Sequence, residues 1–423
     1  MESKQEPLKM LFMACSPTDV GEKSVLDFEK EEERIFSVIG TNNIDMRIED
    51  TGSLQGLKQA NNKGGGFDII HITGHAGLDK DKGPVFYMED ELGKRQKVSS
   101  DDLWGVIKDF PPRMLFLSGC LTGSAYEEAN SESFAYKMAQ KGVRWVLCWG
   151  LPVSDEGATL VAAEIYRCLS IGKGIDHAVQ SARKLLENRY HPWPLLRLFG
   201  DKSPIVPLVA PGLLVKKGSP VKLRHKTLKY SNVRVLETGF VGRRRYVQRG
   251  VSVIRDRGGK CGLLVRGPAG IGKSCLVGKL VERFRDKELV VFHGVVSEAD
   301  VILKLRNLLD RLGNKDGLKI LKSDDEYEQK IKALFRTVFK GDISTIIYFD
   351  DFEQNLYIHD NHYYLNSEAI DIIRPFLEAV DWTEGSSNVV ISSRYNFSLE
   401  HYGEDLPAAK LFAIGLKSSN DAQ

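Results

Sequence analysis

The run Gly267-Pro268-Ala269-Gly270-Ile271-Gly272-Lys273-Ser274 joins a pliable backbone to one lysine and one hydroxyl, in the spacing G-x-x-x-x-G-K-[ST]. The glycines let successive N–H groups turn inward around phosphate oxygens. A helix starting here points its positive end at the same anion. Lys273 is then expected to reach the β- and γ-phosphates, and Ser274 to ligate Mg²⁺. Further on, an apolar run, Ile346-Ile347-Tyr348-Phe349, ends in Asp350-Asp351. We expect Asp350 to hold the Mg²⁺ shell and Asp351 to orient attacking water, with Glu353 as a weaker alternative base. Arg394 follows the apolar run 389–392, where it either senses the γ-phosphate or is a surface arginine at a strand end. These residues predict binding of ATP (or ADP) with Mg²⁺.

A second set of residues points to nucleophilic chemistry. Thr73-Gly74-His75 and Ser118-Gly119-Cys120 each close an apolar run, and Cys120 stands 45 positions after His75. Parallel neighbouring strands would bring both side chains to the carboxyl edge of one sheet, where α/β proteins build sites. A thiolate needs a nearby imidazole or another positive field. The histidine can then protonate a leaving amine. Backbone N–H groups at Ala76 and Cys120 are the expected oxyanion hole. Spacing alone leaves the plain alternative open, a small core cysteine and a histidine that caps a turn.

These positions need elements to hold them. Short apolar runs at 8–15, 67–72, 113–117 and 143–148 read as strands, with a possible strand at 43–49. Helical spacing covers 25–40, 99–110, 134–141, 155–170 and 175–187. Residues 61–66 are polar and Gly-rich and read as punctuation. The stretches 84–89 and 94–98 resemble a hairpin. This alternation predicts βαβ units, and the fold class is α/β with a largely parallel sheet in each of two domains. The 423 residues suit two or three domains, and 42% hydrophobic residues supply real cores. Prolines 204, 207, 211 and 220, followed by lysines and arginines up to Arg234, mark residues 206–235 as a basic linker. It is read as a solvated connector, and it leaves a nucleic-acid partner open. A strand at 263–266, helices at 273–284, 300–312 and 325–340, and strands at 289–292, 345–349 and 389–392 complete the second domain.

Bulk properties narrow the setting. Net charge is only +2, which argues neither for nor against nucleic acid. The six cysteines are scattered without a Cys-x-x-Cys pair, so a zinc site or disulfide framework is not expected. Free thiols suit a reducing, cytoplasmic compartment. No run is long and apolar enough to span a bilayer, so no membrane partner is expected.

Two resemblances follow from these residues. Residues 8–200 resemble the CHAT domain of caspase-like peptidases through His71-Ile72-Thr73-Gly74-His75, Leu117-Ser118-Gly119-Cys120-Leu121-Thr122-Gly123, Gly142-Val143-Arg144-Trp145-Val146, Pro152-Val153-Ser154-Asp155 and Gln180-Ser181-Ala182-Arg183. This resemblance implies a caspase-like fold over 1–205, with His75 as catalytic histidine and Cys120 as nucleophile. His71 is expected only to pack, and His177 and His191 take no assigned role. In separase-like relatives an aspartate matching Asp155 faces a basic residue before the scissile bond. The same preference for Lys or Arg is implied here, although a helix N-terminal acid explains Asp155 equally well.

Residues 236–423 resemble STAND and NACHT P-loop NTPases through Phe240-Val241-Gly242-Arg243, the phosphate loop, the Asp350-Asp351 strand and Ser392-Ser393-Arg394. That resemblance implies base contacts near Val241, Gly242 and Arg243, and an ATP-dependent homo-oligomerisation switch. The family continues with a winged helix and a sensor, so a piece of a longer protein is expected. Together these readings imply a nucleotide-regulated cysteine protease that cleaves a protein partner, in prokaryotic defence or regulated cell death. The alternatives are a non-catalytic adaptor switched by ATP or ADP, and a nucleic-acid-dependent ATPase using the basic linker and Arg243-Arg244-Arg245.

Overall fold

The computed structural model describes residues 7–19, 28–39, 43–119, 133–187, 195–200, 204–209, 225–228, 231, 233–236, 243–255, 259–399 and 405–417. The chain forms two compact units. The first comprises Met1–Leu223 with Thr238–Arg244, and the second Arg224–Glu237 with Arg245–Gln423.

In the first unit the strands are β1 (Leu8–Ala14), β2 (Ile44–Glu49), β3 (Ile69–Thr73), β4 (His75–Asp79), β5 (Gly83–Glu89), β6 (Arg95–Ser99), β7 (Met114–Ser118), β8 (Trp145–Trp149) and β9 (Leu196–Gly200). The helices are α1 (Phe28–Ile39), α2 (Leu54–Gly64), α3 (Ser100–Ile107), α4 (Phe134–Gln140), α5 (Asp155–Ser170) and α6 (Ile175–Glu187). The main sheet runs β2-β1-β3-β7-β8-β9 and is parallel except for β9. Its inner strands are apolar on both faces, as buried parallel strands must be. Met10, Phe12, Met114 and Phe116 cluster with α1, α5 and α6. Leu11, Met13, Leu115 and Leu117, one residue out of phase, cluster with α2, α3, α4 and β5. Burying a side chain such as Phe116 completely stabilises by about 2–3 kcal/mol.

Three expectations change here. The polar stretch 61–66 is not punctuation throughout, because α2 runs to Gly64. Ser53 caps that helix, and Gly65 ends it in the left-handed region at φ 63°. Its polar composition hides an inward face, on which buried Asn61 donates to Phe110 O at 3.3 Å. The turn expected at His75 is instead the start of β4, and β4-β5-β6 form a three-stranded antiparallel ribbon. β4 is only partly buried and shows no apolar alternation, so its pattern did not read as a strand. The helix expected from residue 25 is described from Phe28 onward.

The second unit carries β10 (His225–Thr227) and β11 (Arg234–Leu236), then α7 (Arg244–Arg255, belonging to this unit from Arg245), β12 (Gly262–Arg266), α8 (Lys273–Val281) and β13 (Glu288–His293). There follow α9 (Glu298–Leu312), α10 (Lys315–Lys322), α11 (Tyr327–Thr337), β14 (Thr345–Asp350), β15 (Leu356–His359) and β16 (His362–Leu365). The chain then forms α12 (Ser367–Ala379), β17 (Asn388–Ser393), α13 (Leu406–Lys410) and β18 (Leu411–Gly415). The sheet runs β13-β14-β17-β12-β18, all parallel. Strand β14 is buried along its whole length. Part of the expected linker is folded: β10 and β11 pair, Val235 is buried, and Lys226 pairs with Glu282 at the end of α8.

Candidate functional sites

In the first unit, Thr73 and Ser118 are register partners on the parallel strands β3 and β7. His75 lies two residues beyond the first, and Cys120 two residues beyond the second. The two turns touch. Gly74 N donates to Ser118 O at 3.2 Å, and Thr73 Oγ1 donates to the same oxygen at 3.4 Å. Both turns rest on the fully buried ring of Phe86 from β5. A Cβ on Gly74 would lie 2.8 Å from that ring and 2.9 Å from Cys15 O. A Cβ on Gly119 would lie 2.7 Å from the ring and 3.1 Å from Gly74 O. The glycines are therefore demanded by the close approach of the two turns.

His75 is half-buried at the head of β4, in register with Tyr87. Ala76 stands opposite Phe86 and is partly buried. Cys120 lies outside the described residues. Asp155 is the exposed first residue of α5, directly after the cap Ser154, whose hydroxyl accepts from Gly157 N at 3.2 Å. Since α5 follows β8, Asp155 lies past the same sheet edge as the two turns. The helix-dipole role open to it in the sequence is met by that position. His71 is fully buried, stacked on Phe116 with centroids 4.5 Å apart and 3.4 Å from Glu31, so it packs as expected.

The thiols elsewhere in this unit differ from what a nucleophile needs. Burial pushes the Cys15 thiol well above its ordinary value, and pushes Cys148 up to about 12. Both stay protonated at neutral pH and behave as small core residues.

In the second unit the phosphate loop joins β12 to α8. Gly270 and Gly272 take φ 73° and 92°, in the region that favours glycine. Gly272 is the residue before the first turn of α8. At Gly267 a Cβ would lie 2.9 Å from Leu416 O, so only glycine fits. Lys273 is buried and folded back on the loop, donating to Gly267 O at 3.1 Å and Pro268 O at 3.3 Å.

Across 76 positions of sequence, Ser274 Oγ donates to Asp350 Oδ1 at 2.9 Å. The two halves of the expected Mg²⁺ site are thus in contact. Asp350 Oδ1 also accepts from Ser392 Oγ at 2.5 Å and from the Tyr348 phenol. Burial, and then the Asp350 carboxylate, push the phenol well above its ordinary range, so it stays a donor. His293 Nδ1 lies 3.4 Å from Asp350 Oδ2.

Asp351 takes φ 55°, unusual for a residue with a side chain, and accepts from Gln354 at 2.7 Å. Arg394 is paired with Glu353, Nε to Oε1 2.6 Å. The two residues weighed as sensor and spare base are therefore each other's partner. Arg243 is half-buried with φ 61° and belongs to the first unit. Val241 and Gly242 lie outside the described residues.

These residues fit a Mg²⁺-nucleotide. The loop offers glycine backbone and a lysine, and the donor set is a hydroxyl plus a carboxylate, the hard oxygens Mg²⁺ takes alongside phosphate. Among the described residues no group of three or more His, Cys, Asp or Glu side chains could hold a metal by itself. Sequence reasoning missed Tyr348, Ser392 and His293 in this site. The signal for Tyr348 was present: two residues before Asp350 on a strand, it must share the aspartate's face.

Comparison with known proteins adds the following. The CHAT domain family model matches residues 15–194. No curated protein sequence matches the chain. Among solved structures, similar ones include a Signal Transduction ATPase with Numerous Domains (STAND) with a tetratricopeptide repeat sensor from Pyrococcus horikoshii. It is 20% identical over 42% of this chain and 23% of that one, with a TM-score of 0.28. The Arg-specific cysteine proteinase gingipain R is 12% identical over 47% of each chain, with a TM-score of 0.34. Domain III of the replication initiation protein DnaA from Thermotoga maritima is 15% identical over 41% and 61%, with a TM-score of 0.24. The chain thus spans about a quarter of the STAND protein and about half of the proteinase. No helix among the described residues is long and apolar enough to cross a membrane. The chain is an α/β protein with two largely parallel sheets flanked by helices, and its residues 15–194 match the CHAT domain family model.

Proposed function

We propose that this chain is a nucleotide-regulated cysteine endopeptidase, with the peptidase centre in the first unit and the control site in the second. The observation that supports the reading is the pairing of Thr73 with Ser118 on neighbouring parallel strands, each two positions in sequence before His75 and Cys120 respectively. The CHAT match over both turns supports it. In the reaction, the Cys120 thiolate adds to the scissile carbonyl carbon while the N–H groups of Cys120 and Ala76 take the oxyanion. The C–N bond then breaks, and protonated His75 gives its proton to the leaving amine. Water, deprotonated by His75, hydrolyses the thioester and frees the thiol. Asp155, past the same edge, would favour a basic residue before the cleaved bond.

ATP or ADP with Mg²⁺ would be held by Gly267, Gly270, Gly272, Lys273 and Ser274, with Asp350 and Asp351 facing them. Lys273 would leave its loop carbonyls for the phosphates of a bound nucleotide, and homo-oligomer assembly would follow nucleotide state. The resemblance to STAND and NACHT proteins supports that switch, and supports a setting in prokaryotic defence or regulated cell death inside the cytoplasm.

The test compares protein-partner cleavage by wild type, Cys120→Ala and His75→Ala, with and without ATP and Mg²⁺. We expect cleavage by the wild type alone, and an unbiased peptide library cut after Lys or Arg. Equal cleavage by all three proteins rules out the dyad. Nucleotide-dependent assembly without cleavage favours the adaptor reading.

A further inference from the structure

We propose that Tyr348 is a positioning residue for the metal-binding carboxylate, part of a buried clamp that fixes Asp350 and makes Mg²⁺ count toward nucleotide affinity. The inference deepens the nucleotide-site reading above and rests on it.

Three hydroxyls converge on one oxygen. Asp350 Oδ1 accepts from Ser274 Oγ at 2.9 Å, from Ser392 Oγ at 2.5 Å and from the Tyr348 phenol. A carboxylate oxygen offers about two good acceptor directions, so three donors crowd it. Ser274 is the donor with another task, because it is the hydroxyl the phosphate-loop spacing assigns to Mg²⁺. Once it turns to the metal, Oδ1 keeps Tyr348 and Ser392. Both are fully buried, and the phenol is also 3.3 Å from Ser392 Oγ, which ties the two donors together. Tyr348 lies on the middle strand segment of β14, with β17 as neighbour, so its ring cannot swing away. The clamp leaves Oδ2 as the oxygen that the hydroxyls do not hold, and Oδ2 already faces the half-exposed ring of His293. A buried carboxylate without such donors would lose its fixed rotamer.

Replacing Tyr348 by Phe removes one hydroxyl and keeps the ring. Affinity for a fluorescent ATP analogue is measured on the full chain in Mg²⁺ and in EDTA, with thermal unfolding as a check on folding. In the wild type, Mg²⁺ is expected to tighten binding. In Tyr348→Phe the Mg²⁺ enhancement is expected to fall about tenfold, the size of a lost hydrogen bond to a charged group, while affinity in EDTA stays within about twofold. Should Tyr348→Phe fail to fold, Ser392→Ala removes the other buried donor and must show the same selective loss. An unchanged Mg²⁺ enhancement, or an equal loss in Mg²⁺ and EDTA, overturns the inference while leaving the nucleotide site standing. A wild type that binds no analogue, and matches Lys273→Ala, overturns the nucleotide site and the clamp together.

Discussion

Gly119 carries no chemistry, yet the proposed peptidase centre depends on it. The position one residue before Cys120 lies 3.1 Å, as a Cβ would measure it, from a backbone oxygen of the His75 turn. A flexible side chain could yield, but Gly74 O is backbone, in a residue whose N–H is bonded to Ser118 O. Adding a methyl there is an overpacking change of about 1–3 kcal/mol. Gly119→Ala is therefore expected to lower stability by about that amount and to push the two turns apart. Urea unfolding reads the first effect, and the rate of Cys120 alkylation by a peptide warhead reads the second. Wild-type values in both would show that the turns can part without consequence. The same logic separates Gly270, where a Cβ meets nothing and only the left-handed φ of 73° calls for glycine.

At the scale of elements, α5 and α6 are joined by Glu164. Its carboxylate accepts from Arg167 at 2.7 and 2.8 Å within α5, and from Ser181 on α6. The Arg167 hydrogen bonds hold the Glu164 carboxyl down to about 2, against an ordinary value of 4.5. A lowered folded-state pKa stabilises the protein above the unfolded value, and that contribution disappears as pH falls from about 4.5 through about 2. Solvent screens the pair, so about 1 kcal/mol is the expected size. Glu164→Gln should lose that much at pH 7 in urea melts and match the wild type near the acid limit. A gap of equal size at both pH values would mean that packing, not charge, is at work.

A shorter-range device lies at α3. There Ser99 and Asp102 cap each other, so Ser99→Ala is expected to cost about 1 kcal/mol in the same melts. The sequence showed the apolar strands and the phosphate loop because each is a local pattern. β4 was hidden because a half-exposed ribbon strand has no alternation to read. Glu353 and Arg394 each looked poised for nucleotide because their mutual pairing spans 41 positions. The same limit hid the convergence of Ser274, Tyr348 and Ser392 on Asp350, since no local window contains all four.

At the scale of the whole molecule, the chain does not divide at one point. Residues 224–237 count with the second unit, and Thr238–Arg244 with the first. The returning segment ends in Arg244, only 6% exposed, which donates to Ala14 O and pairs with Glu89 Oε1 at 2.5 Å. Glu89 also accepts from Ser16 N at 2.8 Å, just past β1. Removing one member of a buried ion pair typically costs about 3–5 kcal/mol. Arg244→Met should therefore destabilise the first unit by about that amount. The double variant Arg244→Met with Glu89→Gln removes both charges and keeps an acceptor for Ser16 N, so it should recover most of the loss. Tryptophan fluorescence can follow this, because Trp104, Trp145, Trp149 and Trp193 belong to the first unit and only Trp382 to the second. A fragment ending at Leu223 lacks Arg244 and should unfold as early as the single variant. If that fragment is as stable as the first unit of the full chain, the returning segment is dispensable, and the arginine reports only on where the chain passes.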